Sequence, residues 1–364
     1  MRIGIDAREL CGTPIGVGRH LAGLLAAWAH HPRADAHSFV LYAHEPVSTP
    51  LPRAELRVIA GSPGTRWEQV SMPAAVKRDR VDVFFAPGYT MPLTLEVPGV
   101  VLVHDISFVV HPEWFRWREG LRRRLITRWS CRRAHLVLTV SDAARDDIVS
   151  AFGMPPGRVR RIYPGVMQFS GDAGARREPM VLFVGSVFNR RHLPDLIRAF
   201  RPIAVQHAGA GLVIVGDNRT HPHEDLASLA AREGIAARVS IRPYVPDAEL
   251  AALYRRAAAF ALLSEYEGFG HPPLEALACG VPSVVMDTGV AREVYGDAAL
   301  YVPPHDIPAI TAALNQLLFE DPVRQKLLRA APEVLGRYSW SRAAADTLDA
   351  LESAAPYAAP MGAY

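Results

Sequence analysis

Short apolar runs alternate with stretches of helical period along almost the whole chain. In the first half the runs 2–6, 38–43, 57–60, 82–86, 100–104 and 136–140 read as strands, and 17–30, 66–78, 117–134 and 142–152 as helices. In the second half strands are expected near 180–184, 212–216, 239–242, 259–263 and 283–286. Helices are expected there near 193–206, 224–233, 247–257, 272–279 and 306–319. Strands alternating with helices in this way belong to parallel sheets with both faces covered. The segment 164–179 is rich in Gly, Pro and charge and has no apolar period, which makes it the natural break between domains. The expected organisation is a Rossmann-like α/β domain over 1–164, a linker over 165–179, and a second Rossmann-like domain over 180–338. A C-terminal segment over 339–364 follows, with an amphipathic helix at 339–353. Ligands of open parallel sheets gather at the carboxyl ends of the strands, so two such domains with facing strand ends would enclose a cleft.

Composition narrows the class. The 364 residues are enough for two domains, and 49% apolar content supports two cores. A net charge of +3 does not describe a general trap for nucleic acid. Cys11, Cys131 and Cys279 are scattered, with neither metal-ligand spacing nor a disulfide framework, as in a reducing compartment. The opening Met-Arg-Ile-Gly-Ile-Asp reads as a strand rather than a signal peptide. No apolar run approaches the ~20 residues that span a bilayer. The expectation is a cytoplasmic protein, soluble or peripheral on the inner face of the cytoplasmic membrane.

The candidate chemistry sits at predicted strand ends. Most informative is Glu267-Gly-Phe-Gly-His-Pro-Pro-Leu-Glu275. The apolar run ending at Leu262 and Leu263 gives way to a glycine turn at Gly268 and Gly270. Pro272 and Pro273 then suit the first turn of a helix, where their missing N–H groups cost little. A strand, a glycine turn and a helix N-terminus make a phosphate-docking place. Glu275 is expected in the first helical turn, close to Glu267. Two carboxylates beside a phosphate site have sugar hydroxyls as natural partners.

Further motifs repeat this geometry. Asp6 ends the first strand, a loop containing Gly12, Gly16 and Gly18 follows, and the helix at 17–30 starts there. That loop is either a plain strand-to-helix turn or a backbone cradle for a diphosphate. His104 and Asp105 end Val100-Val-Leu-Val-His-Asp. Such a histidine either satisfies a loop carbonyl or faces the cleft, holding a sugar hydroxyl or shaping the local charge. Val181-Leu-Phe-Val-Gly185-Ser186 leads to Arg190 and Arg191 just before a helix, where cations oppose the helix dipole. An anionic ligand explains them better, because guanidinium grips phosphate oxygens in pairs. No Asp-rich metal motif accompanies them, so two arginines and two helix N-termini are left to offset a leaving diphosphate.

Residues 116–133 hold eight arginines against one acid, Glu119, and Trp114, Trp117 and Trp129 lie in or beside them. The stretch 114–133 is either a charged helix whose tryptophans pack inward or a basic surface for an anionic membrane. No recognition fold accompanies it, so nucleic acid is not an expected partner.

Taken together, these motifs resemble the family-four retaining glycosyltransferases of the GT-B fold, over nearly the whole chain. Ser264-Glu-Tyr-Glu267-Gly-Phe-Gly-His-Pro-Pro-Leu-Glu275-Ala-Leu-Ala-Cys-Gly280-Val-Pro is similar to the family's most specific signature, two glutamates separated by seven residues. Arg2-Ile-Gly-Ile-Asp-Ala-Arg and Gly16-Val-Gly-Arg-His resemble its first strand and acceptor-side loop. His104-Asp-Ile-Ser-Phe, His111-Pro-Glu-Trp-Phe, Thr139-Val-Ser-Asp and Tyr163-Pro-Gly-Val are similar to the subgroup that includes bacterial mannosyltransferases.

The resemblance implies a set of roles. Glu267 would meet the donor sugar's hydroxyls, with Gly268, Phe269, Gly270 and His271 around it, and Glu275 would bind the ribose. Arg190 and Arg191, beside Gly185 and Ser186, would bind the diphosphate. Gly16 and Gly18 would approach it from the first domain. Tyr244 and Val245 would meet the base, and His104 would lie by the transferred sugar. His104, Glu267, Arg190 and Arg191 form the implied catalytic set. The C-terminal helix would cross back to the first domain.

The implied activity is a metal-independent retaining hexosyltransferase without a cofactor. Its co-substrate would be a nucleoside diphosphate sugar, with GDP-mannose suggested by the subgroup. Its acceptor would be a glycan or a lipid-linked glycan, in cell-surface polysaccharide synthesis. The alternatives are a catalytically silent nucleotide-sugar-binding protein, or a sugar-nucleotide epimerase or hydrolase on the same fold. Three departures stand out: Arg191 where the family usually has lysine, which keeps the charge but not the compact ammonium, His271 where it has an aliphatic residue, and Phe85 with Gly88 where the subgroup is often more polar. The last two bear on donor and acceptor identity.

Overall fold

Apolar strands that cannot leave backbone groups unpaired in a core must form ladders, and they do so here in two separate parallel sheets. The computed structural model describes residues 1–167 and 177–355. The chain divides into one unit of Met1–Gly165 with Tyr338–Tyr364 and another of Val166–Arg337.

The first sheet contains β1 (Arg2–Asp6), β2 (Ser38–Ala43), β3 (Glu55–Val58), β4 (Val83–Ala86), β5 (Gly99–Leu102), β6 (Leu136–Thr139) and β7 (Val159–Arg161). Its order is β3-β2-β1-β4-β5-β6-β7. The second contains β8 (Glu178–Val184), β9 (Gly211–Val215), β10 (Val239–Arg242), β11 (Ala257–Leu262), β12 (Ser283–Met286) and β13 (Ala299–Val302), in the order β10-β9-β8-β11-β12-β13. Every pairing is parallel, with Ile5 opposite Phe85 and Leu182 opposite Phe260 in the central pairs. Both sheets reverse direction beside their first strand, between β1 and β4 and between β8 and β11. These are the two switch points at which doubly wound sheets open a crevice for ligands.

The central strands are buried on both faces, and β11 has no exposed residue. In the first unit, Trp28 stacks on Phe39 with ring centroids 5.4 Å apart, and its Nε1 donates to the Ala344 carbonyl at 3.0 Å. That carbonyl belongs to the C-terminal helix Trp340–Ala354, which packs on the helix Val17–Ala29 and on β4 and β5, and buries Ala343, Ala344, Leu348 and Leu351. Arg33 adds ion pairs of 2.6 Å to both Asp349 and Glu352.

Several elements differ from the sequence expectation. Strand β8 begins at Glu178, inside the segment 165–179 read as a linker; residues 168–176 of that segment lie outside the described residues. Arg177 explains the early start. Its guanidinium collects the carbonyls of Tyr254, Arg255, Ala257 and Cys279, and Glu178 pairs with Arg256. The stretch 66–78 is a π-helical turn, Trp67–Ser71, running into the helix Met72–Asp79. Strands β7 and β13 are short edge strands; β7 is held by backbone pairing with no apolar run to announce it, whereas β13 does carry one, Ala299-Leu-Tyr-Val302, and sequence reasoning passed over it. The helix Asp321–Gly336 is masked in the sequence by Pro332 in its interior. It buries Leu327, Ala331 and Val334 on one face. A further short helix, Gly289–Tyr295, was not expected either.

The helix Trp117–Arg133 is inside out. It buries Gly120, Thr127, Ser130 and Cys131, while Trp117 (71%), Leu121, Leu125 and Trp129 (57%) are exposed. The tryptophans at 117 and 129 therefore do not pack inward.

Candidate active site

Strands β8 and β11 lie side by side, so the loops that leave their carboxyl ends meet at the switch point of the second sheet. Gly185 follows β8 with φ of +138°, and a Cβ there would stand 2.3 Å from Arg191 Nη1. The bare backbone lets Arg191 fold back over the loop, where Nη1 donates to the Ser186 carbonyl at 2.9 Å. Arg190 and Arg191 lie in the 3-10 turn Asn189–Arg191, and the Arg190 guanidinium rests 4.6 Å above the Phe188 ring.

Glu267 comes from the loop after β11. Its Oε1 accepts Arg191 Nε at 2.9 Å and the Ser264 hydroxyl at 2.9 Å, and Arg191 Nη2 lies 2.8 Å away. Arg191 and Glu267 are 12% and 15% exposed. All three contacts converge on Oε1; among the described residues no hydrogen bond is made to Oε2. The two side chains assigned to diphosphate and sugar are thus each other's partners before any ligand arrives. Ser264 is a third member that sequence reasoning quoted in the motif but did not assign.

Gly270 caps the helix His271–Ala278 with φ of +88°. A Cβ there would come within 2.2 Å of the Tyr295 hydroxyl, which donates to the Gly270 carbonyl at 2.8 Å. Tyr295 therefore pins the start of the helix, with Pro272 and Pro273 just inside it. Because the helix begins at His271, Glu275 is its fifth residue, and its expected place in the first turn is corrected to the second. Glu275 is buried, and Oε2 accepts the Tyr254 hydroxyl at 2.9 Å. Tyr254 sits on the helix Asp247–Arg256, and no feature of the sequence pointed to it. Phe269 is buried against the His271 ring, with centroids 4.9 Å apart, and Gly268 lies between Phe269 and Glu267 in the turn. Beyond β10, Tyr244 is exposed and Val245 buried.

The first unit has its own polar centre at its switch point. Gly16 caps the helix Val17–Ala29 with φ of +43°, and Gly18 is packed where a Cβ would strike the Glu9 carbonyl. His104 follows β5. Its Nε2 lies 3.1 Å from the Pro87 carbonyl, an acceptor only, so Nε2 carries the proton. Burial holds the imidazole below its ordinary value, against the Pro87 carbonyl and Asp105, which act in the other direction. The neutral ring is left with Nδ1 as an acceptor. The loop-carbonyl role considered from sequence is therefore occupied, and it fixes the tautomer. His20 meets the ring edge-on at 5.0 Å, and Tyr89 lies 5.7 Å away with its hydroxyl 3.2 Å from Asp105 Oδ2.

Beside this centre, sequence reasoning missed a buried charge cluster. Arg8 Nη2 is 2.6 Å from Asp6 and 2.8 Å from Glu68, and Glu68 accepts the Thr90 hydroxyl at 2.5 Å. Burial raises the Asp6 carboxyl, and the two acids raise the Arg8 guanidinium above its usual range against the effect of burial. The available signal was Asp6-Ala-Arg8 at the end of the first strand.

A family model described as Glycosyl transferases group 1 matches residues 171–334, and one described as Glycosyltransferase Family 4 matches residues 16–167. The chain belongs to the family-four glycosyltransferases. Among curated relatives of this glycosyltransferase, the O-antigen chain mannosyltransferase B of Escherichia coli is 29% identical over 289 residues, 75% of each chain. An uncharacterized glycosyltransferase of Methanocaldococcus jannaschii is 30% identical over 58% of each. The O-antigen chain mannosyltransferase RfbU of Salmonella typhimurium is 28% identical over 63% of each. The chain thus spans between about three-fifths and three-quarters of the length of these relatives. Among solved structures, Anabaena HepE in complex with UDP and glucose aligns with a TM-score of 0.75 at 20% identity, covering 97% of this chain and 99% of that one. WaaG, a glycosyltransferase involved in lipopolysaccharide biosynthesis, aligns with a TM-score of 0.74 at 17% identity, covering 96% and 99%. The fold is GT-B.

Proposed function

We propose that this family-four glycosyltransferase moves a hexose, mannose first among candidates, from a nucleoside diphosphate sugar to a glycan or lipid-linked acceptor. Transfer retains the anomeric configuration and serves cell-surface polysaccharide synthesis. The single observation that carries this reading is the Arg191–Glu267 pair at the β8/β11 switch point, with Glu267 Oε2 left unbonded among the described residues. The guanidinium can turn part of its fork to a diphosphate while Oε2 accepts a sugar hydroxyl.

In the proposed step the bond from the anomeric carbon to the diphosphate oxygen breaks, and the electron pair leaves with the nucleoside diphosphate. The acceptor hydroxyl bonds to the same face of the sugar, and its proton passes to the departing phosphate oxygen. Arg190, Arg191 and helix N-termini offset the leaving charge, so no divalent cation is assigned to the diphosphate. Glu275, tied to Tyr254, binds the ribose. His104, neutral at Nδ1, accepts from a hydroxyl of the transferred sugar. The two O-antigen mannosyltransferases among the relatives support mannose, and HepE, solved with UDP and glucose, supports a nucleotide-sugar donor.

The reading of the acceptor as lipid-linked draws on the helix Trp117–Arg133. Trp117, Leu121, Leu125 and Trp129 are four residues apart, and exposed Arg118, Arg122, Arg128 and Arg132 share their arc of roughly 140° at 100° per residue. A face with tryptophan, leucine and arginine together suits the headgroup layer of an anionic bilayer. Among the described residues no helix is long and apolar enough to cross a membrane.

The test is transfer from GDP-mannose, UDP-glucose, dTDP-glucose and ADP-glucose to glycolipid acceptors without added metal, with the product's anomeric configuration read by NMR. Transfer of an α-linked hexose from one donor is expected. An inverted product, a requirement for added Mg²⁺ or Mn²⁺, or donor binding without turnover on a broad acceptor panel would each overturn the reading.

A further inference from the structure

A second cluster of ligating side chains lies in the C-terminal unit, apart from the Arg191–Glu267 pair. His192 follows Arg191 and caps the helix Leu193–Gln206, Asp195 stands in that helix's first turn, and His305 comes from the loop after β13. One ligating atom from each falls within a mutual 4.8 Å. Asp195 Oδ2 is 2.9 Å from His305 Nδ1 and 3.9 Å from His192 Nδ1, and the two imidazoles meet edge to face with centroids 4.6 Å apart. Ligands of a tetrahedral zinc ion at 2.0–2.1 Å stand about 3.4 Å from one another, midway between these two separations.

Three further features fit a metal. Arg198 Nη1 takes Asp195 Oδ1 at 3.2 Å, which leaves Oδ2 to the histidines. Glu265 Oε2 lies 3.3 Å from His192 Nε2, the nitrogen opposite the one aimed at Asp195, and that nitrogen is buried without a hydrogen bond. A carboxylate behind a ligating imidazole orients it and raises its basicity. Both histidines also hold left-handed backbone, φ of +47° and +59°, two of only four non-glycine residues that do so among the described residues. Other side chains reach the same place. All three residues line a cavity of about 450 Å³ whose wall also carries Asn189, His223 and Glu224, giving room for water or a further ligand.

We propose that His192 Nδ1, Asp195 Oδ2 and His305 Nδ1 bind a divalent ion of the zinc type, with Glu265 behind His192. The imidazole–carboxylate donor set selects a borderline ion over Mg²⁺ or Ca²⁺. The ion ties the start of the helix Leu193–Gln206 to the loop after β13 and acts as a clamp rather than on the reacting sugar. It holds the turn bearing Arg190 and Arg191, since Glu265 N also donates to the Arg190 carbonyl at 3.0 Å. This inference does not depend on the donor assigned above.

The experiment is Zn²⁺ titration of the chelator-treated full chain by calorimetry, with Co²⁺ substitution read by visible absorption. Variants are His305→Asn, His192→Asn, Glu265→Gln and Cys11→Ser. Asparagine tolerates left-handed backbone, so the first two keep the turns. Cys11→Ser controls for the Cys11, His44 and Glu45 group, the other cluster of ligating atoms among the described residues. Expected are one Zn²⁺ per chain, a raised Tm, a Co²⁺ spectrum free of thiolate charge transfer, and binding weakened at least ~100-fold in His305→Asn and ~10-fold or more in Glu265→Gln. No Zn²⁺ binding, equal binding by His305→Asn, or loss of binding only in Cys11→Ser with a thiolate band would each overturn it.

Discussion

Arg191 and Glu267, 76 residues apart, share one carboxylate oxygen: Oε1 receives Nε at 2.9 Å, Nη2 stands 2.8 Å from it, and Ser264 completes the set. A partly buried pair of this kind contributes little net stability when intact, yet breaking it leaves a poorly solvated charge. Arg191→Ala is therefore expected to weaken nucleoside diphosphate binding by ~10–100-fold, the size of one or two charge-assisted hydrogen bonds. Glu267→Gln should weaken the nucleotide sugar more than the bare nucleoside diphosphate. Calorimetry with both ligands checks this; unchanged affinity in Arg191→Ala would sink the diphosphate role.

Gly185→Ala would place a methyl 2.3 Å from Arg191 Nη1, on backbone with φ of +138°. The strain costs about 1–3 kcal/mol. The variant should melt earlier and lose part of the same ligand affinity as Arg191→Ala. Lower Tm with full affinity would show that Arg191 does not depend on this loop.

Tyr254→Phe removes the hydroxyl that Glu275 Oε2 accepts, and with it a buried hydrogen bond to a carboxylate. The expected loss is about 1–3 kcal/mol. Nucleoside affinity should fall with it if Glu275 binds ribose, and a 2′,3′-dideoxynucleoside diphosphate should not discriminate between variant and parent. Thermal melts and paired titrations measure both effects.

His104 has a folded-state pKa held below its ordinary value by burial, so its neutral form is the folded form. The stability it lends is fully present above the unfolded value of ~6.5 and is lost as pH falls through the lowered folded value. In His104→Gln that slope should disappear. The Tm difference between parent and variant should shrink on going from pH ~7.5 to ~5. A constant difference across that range would contradict the assignment.

Trp117→Ser with Trp129→Ser removes two exposed rings without touching a buried contact of the helix. Fold stability should change little, while flotation with phosphatidylglycerol-containing vesicles should fall several-fold. Binding of the parent should weaken with salt, because the surface attraction is screened. Equal flotation of both proteins, or equal binding to neutral vesicles, would argue against a membrane face.

Much of this was legible from residue order. Burial of β4, β8 and β11 on both faces requires continuous apolar runs, and 82–86, 180–184 and 259–263 carry them, while β1 shows only Ile3 and Ile5 around Gly4. Glycine turns before Val17 and His271 are equally local, since they answer to φ at one residue. Strand β7 was illegible because edge pairing uses backbone groups that every residue carries; β13, with its run Ala299-Leu-Tyr-Val302, was legible and missed. Helix Asp321–Gly336 was hidden by a proline that its neighbours tolerate.

The partners of the motif residues are another matter. Glu267 and Glu275 stand in one signature, yet one answers to Arg191 and Ser264 and the other to Tyr254. His192 and Asp195 are neighbours three residues apart at one helix start, but His305 joins them only because the loop after β13 reaches the helix that follows β8. The sequence by itself determined which segments are strands and helices and which residue types sit at their ends, because burial and backbone preference act over a few neighbours. Only the tertiary structure decided who meets whom. Sheet order, with β8 beside β11 and the C-terminal helix back on the first unit, brings distant side chains within the ~3 Å at which hydrogen bonds form.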